Sequence, residues 1–320
     1  MIEIETVVGP LDDAGLEEVG RLYGRVDAKY GHLSYLRHLF VENPYGWAVH
    51  SFARDGAEAV AHCAAVPIKA RVGGELVDSG KVEAYVVDER YRRGGERGSE
   101  RPIALDVLRA VSDAAAERGI DPLHAYLTPR VGAIFERVGY VAQTTSARPY
   151  VLATDGRPAA RAQRLLVSAV PSPPVRLEPV VSSPADPSKA GWTIAGEDSW
   201  GWFTASEAIH ELELPGSRGG RALVLAGEEG EPVHLLAWKP KRETLRSAAT
   251  LLAALARLAR QRSAPTLRIQ PWPGIGGEAA LVRACRLLAF VPRSPFTIYT
   301  HSTRPDLPPV SPSPFFYATF

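Results

Sequence analysis

Only two cysteines, Cys63 and Cys285, stand in a chain of 320 residues. They are too few for a disulfide framework and too far apart in sequence to read as a metal pair. An excess of charge is missing too: 37 Lys plus Arg face 36 Asp plus Glu, a formal charge of +1. That balance argues against a nucleic-acid binder that works through bulk phosphate attraction. The longest apolar run, Ala248–Ala259, is broken by Arg257 and is too short to span a bilayer. The opening Met-Ile-Glu-Ile-Glu-Thr is acidic, without the basic region and apolar stretch of a signal peptide. What is present is apolar content: 45% of the residues, against 23% charged, is enough to bury real cores. The length suits two domains of about 150 residues. The expectation is a soluble, cytoplasmic, two-part protein with no metal site and no membrane partner.

Val170–Lys189 reads VPSPPVRLEPVVSSPADPSK, with six prolines, four serines and no apolar period. Such a stretch is stiff and continues neither a helix nor a central strand. It divides the chain into an N-terminal domain over 1–155, a Pro-rich linker over 156–190 and a C-terminal domain over 191–320. In the first part Trp47–Ala53 is strand-like and Asp55-Gly56 supplies a hairpin turn. Glu58–Val72, a Gly73-Gly74 turn and Glu75–Asp88 continue the hairpins. Glu100–Arg118 has apolar residues at Ile103, Val107, Leu108, Val111 and Ala115, a helical period, with Ser99 as its N-cap and Pro102 in its first turn. Leu123–Leu127 is a short strand, Arg130–Val138 a helix, and Tyr140–Leu152 a last strand.

The second part repeats that order. Strands over Arg221–Ala226 and Pro232–Trp238 lead into a helix over Arg242–Arg262, whose stripe is Leu245, Ala249, Leu252, Leu255 and Leu258. A strand over Thr266–Gln270, a helix over Glu278–Leu288 and a final strand over Phe290–Thr300 follow. Val138-Gly139-Tyr140-Val141 in the first part is matched by Leu288-Ala289-Phe290-Val291 in the second. Two copies of one α/β unit account for the whole.

Between the third strand and the first long helix of the first copy lies Tyr91-Arg92-Arg93-Gly94-Gly95-Glu96-Arg97-Gly98. A helix N-terminus offers unpaired N–H groups, glycines let backbone approach a pyrophosphate, and arginines pair its oxygens. No Gly-Lys-Ser/Thr follows, so this is not a Walker loop. The preceding hairpins exclude the dinucleotide fingerprint.

At these residues the sequence resembles the GNAT superfamily of acyl-CoA-dependent N-acyltransferases, over about 20–152. It is similar to bacterial members that carry Glu42-Asn43-Pro44-Tyr45-Gly46, a strand from His62 to Pro67, and a loop from Asp88 to Gly95. Such proteins are commonly tandem, with a degenerate second unit. The implied fold class is α/β (α+β): two tandem GNAT-like domains, each a mixed, mostly antiparallel sheet flanked by helices. The resemblance implies acetyl-CoA or another acyl-CoA as co-substrate. Its pyrophosphate would lie on Arg92, Arg93, Gly94, Gly95, Arg97 and Gly98, and Val86 and Val87 would offer strand backbone to pantetheine and acyl carbonyl. The loop departs from the family pattern by placing Arg97 where a small residue is usual and by being about three residues longer. The tyrosine that often protonates the leaving thiolate is Phe135 here, which has no proton to give.

That loss directs attention to other acid–base groups. Alternation along Val82–Val87 places Val82, Ala84 and Val86 on one face and Glu83, Tyr85 and Val87 on the other. Glu83 is the candidate base, because the amine must be neutral to attack a thioester. Tyr85 is the candidate acid, and His62 a second base or acceptor-binding residue. His124 and Tyr126 share a face of the next short strand. The second copy lacks the cradle, since Lys239-Pro240-Lys241-Arg242-Glu243 holds no glycine; it shapes an acceptor groove or a homodimer surface. The expected activity is transfer of an acyl group, most simply acetyl, to a small-molecule amine such as an amino sugar or secondary metabolite. A non-catalytic GNAT-like binder and an aminoacyl-tRNA-dependent transferase are the competing readings.

Overall fold

A computed structural model describes residues 2–24, 33–72, 75–92, 102–154, 165–173, 177–179, 202, 209–216, 219–271 and 277–304. Their chain order opens with β1 (Ile2–Gly9), α1 (Asp13–Gly24) and α2 (Leu33–Phe40). The hairpin strands β2 (Ala48–Asp55), β3 (Glu58–Val72) and β4 (Glu75–Val87) follow. Next come α3 (Ile103–Glu117), β5 (Leu123–Leu127), α4 (Pro129–Glu136), β6 (Val141–Ala147) and β7 (Tyr150–Ala153). The later elements are β8 (Glu178–Pro179), β9 (Ile209–Leu214), β10 (Gly220–Ala226), β11 (Val233–Pro240) and α5 (Leu245–Gln261). The last are β12 (Thr266–Ile269), α6 (Glu278–Leu287), β13 (Val291–Pro292) and β14 (Phe296–His301).

The strands form two seven-stranded sheets, β1-β2-β3-β4-β5-β14-β6 and β13-β7-β12-β11-β10-β9-β8. Each is mostly antiparallel with one parallel pair, β4–β5 in the first and β11–β12 in the second. Two compact units result, Met1–Thr144 with Thr297–Ser311, and Thr145–Phe296. The strand at the C-terminal end of the chain thus completes the first sheet, and β7 belongs to the second. Division at 155 and 191 would place both strands in the other sheet. Two prolines mark the breaks: Pro149 ends the single strand expected over Tyr140–Leu152, and Pro295 ends the one expected over Phe290–Thr300. Most of the Pro-rich segment lies outside the described residues.

In the first unit α3 buries Val107, Leu108, Val111 and Ala115 against Val49, Ala53, Ala61, Cys63, Ala65, Val82 and Val87 of the sheet. Each buried Val or Leu is worth roughly 1.5–3 kcal/mol. Tyr299 of β14 joins that core. A Cβ on Gly132 of α4 would lie 2.1–2.5 Å from the Tyr299 ring, so glycine is what lets the helix close over this strand. The helix expected from Glu100 starts at Ile103, because Pro102 holds extended backbone (φ −75°, ψ 101°) just before it. Ser99 lies outside the described residues.

In the second unit α5 buries Leu251, Leu252, Leu255 and Leu258 against Ala222, Val224, Ala226, Val233 and Leu235. Leu245, expected on the stripe, is exposed in the first turn.

Candidate active site

β4 and β5 pair only at Gly80–Leu123 and Lys81–His124. A Cβ on Gly80 would stand 2.5 Å from Leu123 and 2.8 Å from Ile120, so the glycine permits the close approach that seals this end. Beyond Lys81 the strands take different partners. Val82–Val87 stays on the β3 ladder, while Ala125, Tyr126 and Leu127 pair with Tyr299, Ile298 and Thr297 of β14. Among the described residues the facing backbone edges share no ladder past Lys81, which leaves a slot between two parallel strands. Such edges offer N–H and C=O groups to an extended polar ligand.

A bulge re-aims the side chains along the slot. His62 pairs with Val86 and Ala64 with Glu83, so Cys63 faces the two residues Ala84 and Tyr85. Ala84 takes φ +55°, an uncommon backbone for a residue with a Cβ. The simple alternation expected along this strand therefore fails. Val82, Tyr85 and Val87 pack with the α3 core, and the rows His50–Ala64–Glu83 and Phe52–His62–Val86 lie on the other face. Glu83 and Tyr85, expected together, flank the strand on opposite sides.

On the α3 side the Tyr85 hydroxyl donates to the Ala104 carbonyl at 3.2 Å. Its ring meets Phe135 edge-on, with centroids 5.3 Å apart. Burial, and then the neighbouring Cys63, push the Tyr85 pKa up. Cys63 is itself pushed up by burial and then by the Glu83 charge, which makes it a packing residue and not a nucleophile.

On the opposite face Glu83 forms an ion pair with Lys81, two residues earlier on the strand, and the two side chains are only 10% and 6% exposed. Lys81 also neighbours His124, and burial, then the Lys81 charge, hold that imidazole well below its ordinary pKa. Ser79 Oγ donates to the Pro122 carbonyl at 2.6 Å, which spends its one proton. The 3.2 Å contact between Ser79 Oγ and His124 Nδ1 is then a bond in which His124 donates, and Nε2 is the proton-accepting nitrogen. His62 is fully buried, 3.1 Å from His50 Nδ1 through its Nε2, with Phe40 of α2 edge-on to both rings. Burial lowers both pKa values, that of His50 to about 3; His50 lowers His62 further, and the Ala84 carbonyl opposes this. His62 stands behind the bulge as a neutral ring.

The segment after β4 is fixed by its own side chains. Asp88 accepts from the Arg90 backbone N–H at 3.0 Å, and Arg90 also pairs with Asp88 at 2.9 Å and Glu58 at 2.7 Å. Tyr91, buried, donates to Asp55 at 2.7 Å. Arg92 Nε donates to the Val87 carbonyl at 2.9 Å, and its guanidinium is 3.5 Å from Glu89. Arg93, Gly94, Gly95, Arg97 and Gly98 lie outside the described residues. Past them, α3 begins at Ile103, and its N-cap residue Pro102 makes no side-chain cap bond.

No family model matches the sequence, and no curated protein is similar to it. Solved structures are. A tandem GNAT protein from the clavulanic acid biosynthesis pathway superposes with a TM-score of 0.63 at 14% identity, over 95% of this chain and 100% of the other. The chain has the tandem GNAT fold. N-myristoyltransferase of Saccharomyces cerevisiae, solved with bound myristoyl-CoA, matches at 0.58 and 10% identity, over 93% of this chain and 82% of that one. A putative acetyltransferase from Pyrococcus horikoshii matches at 0.57 and 10% identity, over 93% and 90%. Within this fold, residue-pattern reasoning missed Lys81, His50 and Ser79. The charge pair at i and i+2 of a strand, Lys81-Val82-Glu83, was the available signal for the first. Among the described residues no group of three or more His, Cys, Asp or Glu could hold a metal ion, and no helix is long and apolar enough to cross a membrane.

Proposed function

We propose that this tandem GNAT protein is an acyl-CoA-dependent N-acyltransferase. Its one acyl-CoA site lies in the first unit, and the acyl group, most simply acetyl, moves to the amine of a small molecule. The observation that carries the reading is the open β4–β5 slot with a carboxylate on one face of β4 and a tyrosine on the other. Pantetheine extends along the slot, with Val86 and Val87 offering backbone. The pyrophosphate meets the uncapped start of α3 and the segment Arg92, Arg93, Gly94, Gly95, Arg97 and Gly98.

The amine enters on the Glu83 face. Its ammonium gives one proton to Glu83, and the neutral nitrogen attacks the thioester carbonyl carbon. Strand N–H groups hold the tetrahedral oxyanion. The C–N bond forms and the C–S bond breaks; the attacking nitrogen loses its second proton to solvent. Tyr85, released from the Ala104 carbonyl, protonates the thiolate on the far side of the strand, where Phe135 lies against it, and takes a proton back from solvent. His62, buried beside the bulge, keeps the strand edge in place and does not touch the substrate.

Calorimetric titration with acetyl-CoA, followed by a thiol-release assay over an amine panel, tests the proposal. One equivalent should bind per chain. Glu83→Gln and Tyr85→Phe should each lower kcat by about 100-fold or more with acetyl-CoA binding retained, in the range of a lost general acid or base. Full turnover in both variants refutes these roles.

A further inference from the structure

Resting on the acyl-transfer reading of this slot, we infer that the acceptor is an α-amino acid type of molecule, whose ammonium goes to Glu83 and whose carboxylate goes to Lys81. Lys81 and Glu83 lie on one face of β4, two residues and therefore about 7 Å apart along the strand. Their side chains are 6% and 10% exposed and bonded to each other. Among the described residues neither has another hydrogen-bonding or ionic partner.

An acceptor with an amine alone faces a charge problem at this place. Binding at Glu83 takes the carboxylate away from Lys81 and leaves a buried ammonium uncompensated, the costly outcome for a buried pair. The neighbouring imidazoles carry no negative charge to offer in exchange, and His124, next to Lys81, is a neutral ring that donates from Nδ1 to Ser79. A zwitterion removes the problem. It brings one charge of each sign, replaces both partners at once, and leaves the site as neutral as before. Its two charged groups sit on one carbon, which matches two side chains already in contact.

The exchange also prepares the reaction. With its carboxylate on Lys81, the substrate holds its ammonium against Glu83, the group to which it gives its proton. Bond making and breaking are those of the acyl transfer above: N–C forms, C–S breaks, and the two protons of the ammonium pass to Glu83 and solvent.

The test compares sets of three acceptors that share a side chain: an amino acid, its carboxamide and its decarboxylated amine, each with saturating acetyl-CoA and thiol release as readout. For the best side chain the amino acid should exceed the other two by at least tenfold in kcat/KM. Lys81→Gln should bring the amino acid down to the level of its carboxamide, and Lys81→Arg should restore the preference. Because the primary comparison uses the unaltered chain, it does not depend on how a variant folds. Carboxamides or plain amines acylated as fast as amino acids overturn the inference and leave the acyltransferase reading standing. A preference that survives Lys81→Gln also overturns it. No acylation of any amine overturns both readings together.

Discussion

The two units repeat one arrangement of strands and differ where chemistry would sit. The rows Ala61–Val87, His62–Val86, Ala64–Glu83 and Ala65–Val82 of the first sheet answer to Ala222–Trp238, Leu223–Ala237, Leu225–His234 and Ala226–Val233 of the second. Both β4 and β11 hold an extra residue at the same row, and Ala84-Tyr85 corresponds to Leu235-Leu236. Past that point they part. β4–β5 pairing ends at Lys81, three residues short of the Ala84 bulge, whereas β11–β12 pairing continues through Leu235, the residue that answers to Ala84. The second slot is zipped to the bulge. It has leucine in place of the Tyr85 hydroxyl, and α5 is capped by Thr244, whose Oγ accepts from the Ser247 N–H at 3.1 Å. The fold alone does not make a site; on the proposed reading, the strand edge that has no ladder partner among the described residues and the start of α3 do.

Removing residues 293–320 should break the comparison most severely. Among the described residues the second unit keeps its seven strands, but the first loses β14, and with it Tyr299 from its core and the strand that joins β5 to β6. The loss should exceed the whole stability of a typical domain, about 5–15 kcal/mol. Hydrogen exchange should then find the first unit unprotected and the second still protected. Persistent protection across β3 and β4 would falsify this account of the strand exchange.

Acid should separate the units next. His50, His62 and His124 are buried in the first unit and kept neutral, with burial the leading cause in each. In the second, His210 shifts the same way but is only partly buried. Folded pKa values below the ordinary 6.5 mean that the unfolded chain binds more protons in acid. The stabilisation is therefore complete above about pH 6.5 and falls as pH drops toward the folded value of about 3 for His50. Each such ring contributes about 1.4 kcal/mol per pH unit in that window. Exchange at pH 7 and pH 5 should show the first unit weakening several-fold more than the second; equal weakening removes the imidazoles as the cause.

Element order in the first half and the repeat were legible in the sequence because hairpin turns, helical periods and glycine stops are local signals. β1, α1 and α2 were legible too, through Leu16, Val19, Leu22 and Leu36, Leu39, Phe40 at helical spacing, yet the hairpins drew the reading past them. The strand exchange was not. Phe296–His301 looks the same whichever sheet it joins, and only Pro149 and Pro295 hint that the flanking strands are broken. The bulge had no sequence sign either, since Ala84 and not glycine takes the positive φ. One inserted residue was enough to put Glu83 and Tyr85 on opposite faces, which a period of two cannot foresee.

The smallest effects come from exchanging the helix starts, and they sharpen the comparison most directly. Pro102, at the N-cap of α3, has neither a side-chain acceptor nor an N–H; the Leu105 N–H goes to its carbonyl, and on the acyl-CoA reading the first two N–H groups of α3 face the pyrophosphate. Pro102→Ser supplies a hydroxyl that competes for those N–H groups. It should stabilise the first unit by a few tenths to about 1 kcal/mol and weaken acetyl-CoA binding several-fold. Thr244→Ala in the second unit does the reverse: it should cost about 1 kcal/mol of stability and give no acetyl-CoA affinity, because the β11–β12 slot stays paired. Thermal unfolding and calorimetry on the two variants read both quantities. If Pro102→Ser leaves acetyl-CoA affinity untouched, the phosphate does not use the start of α3. If Thr244→Ala creates a second binding equivalent, the cap, and not the zipped strands, is what silences the second unit.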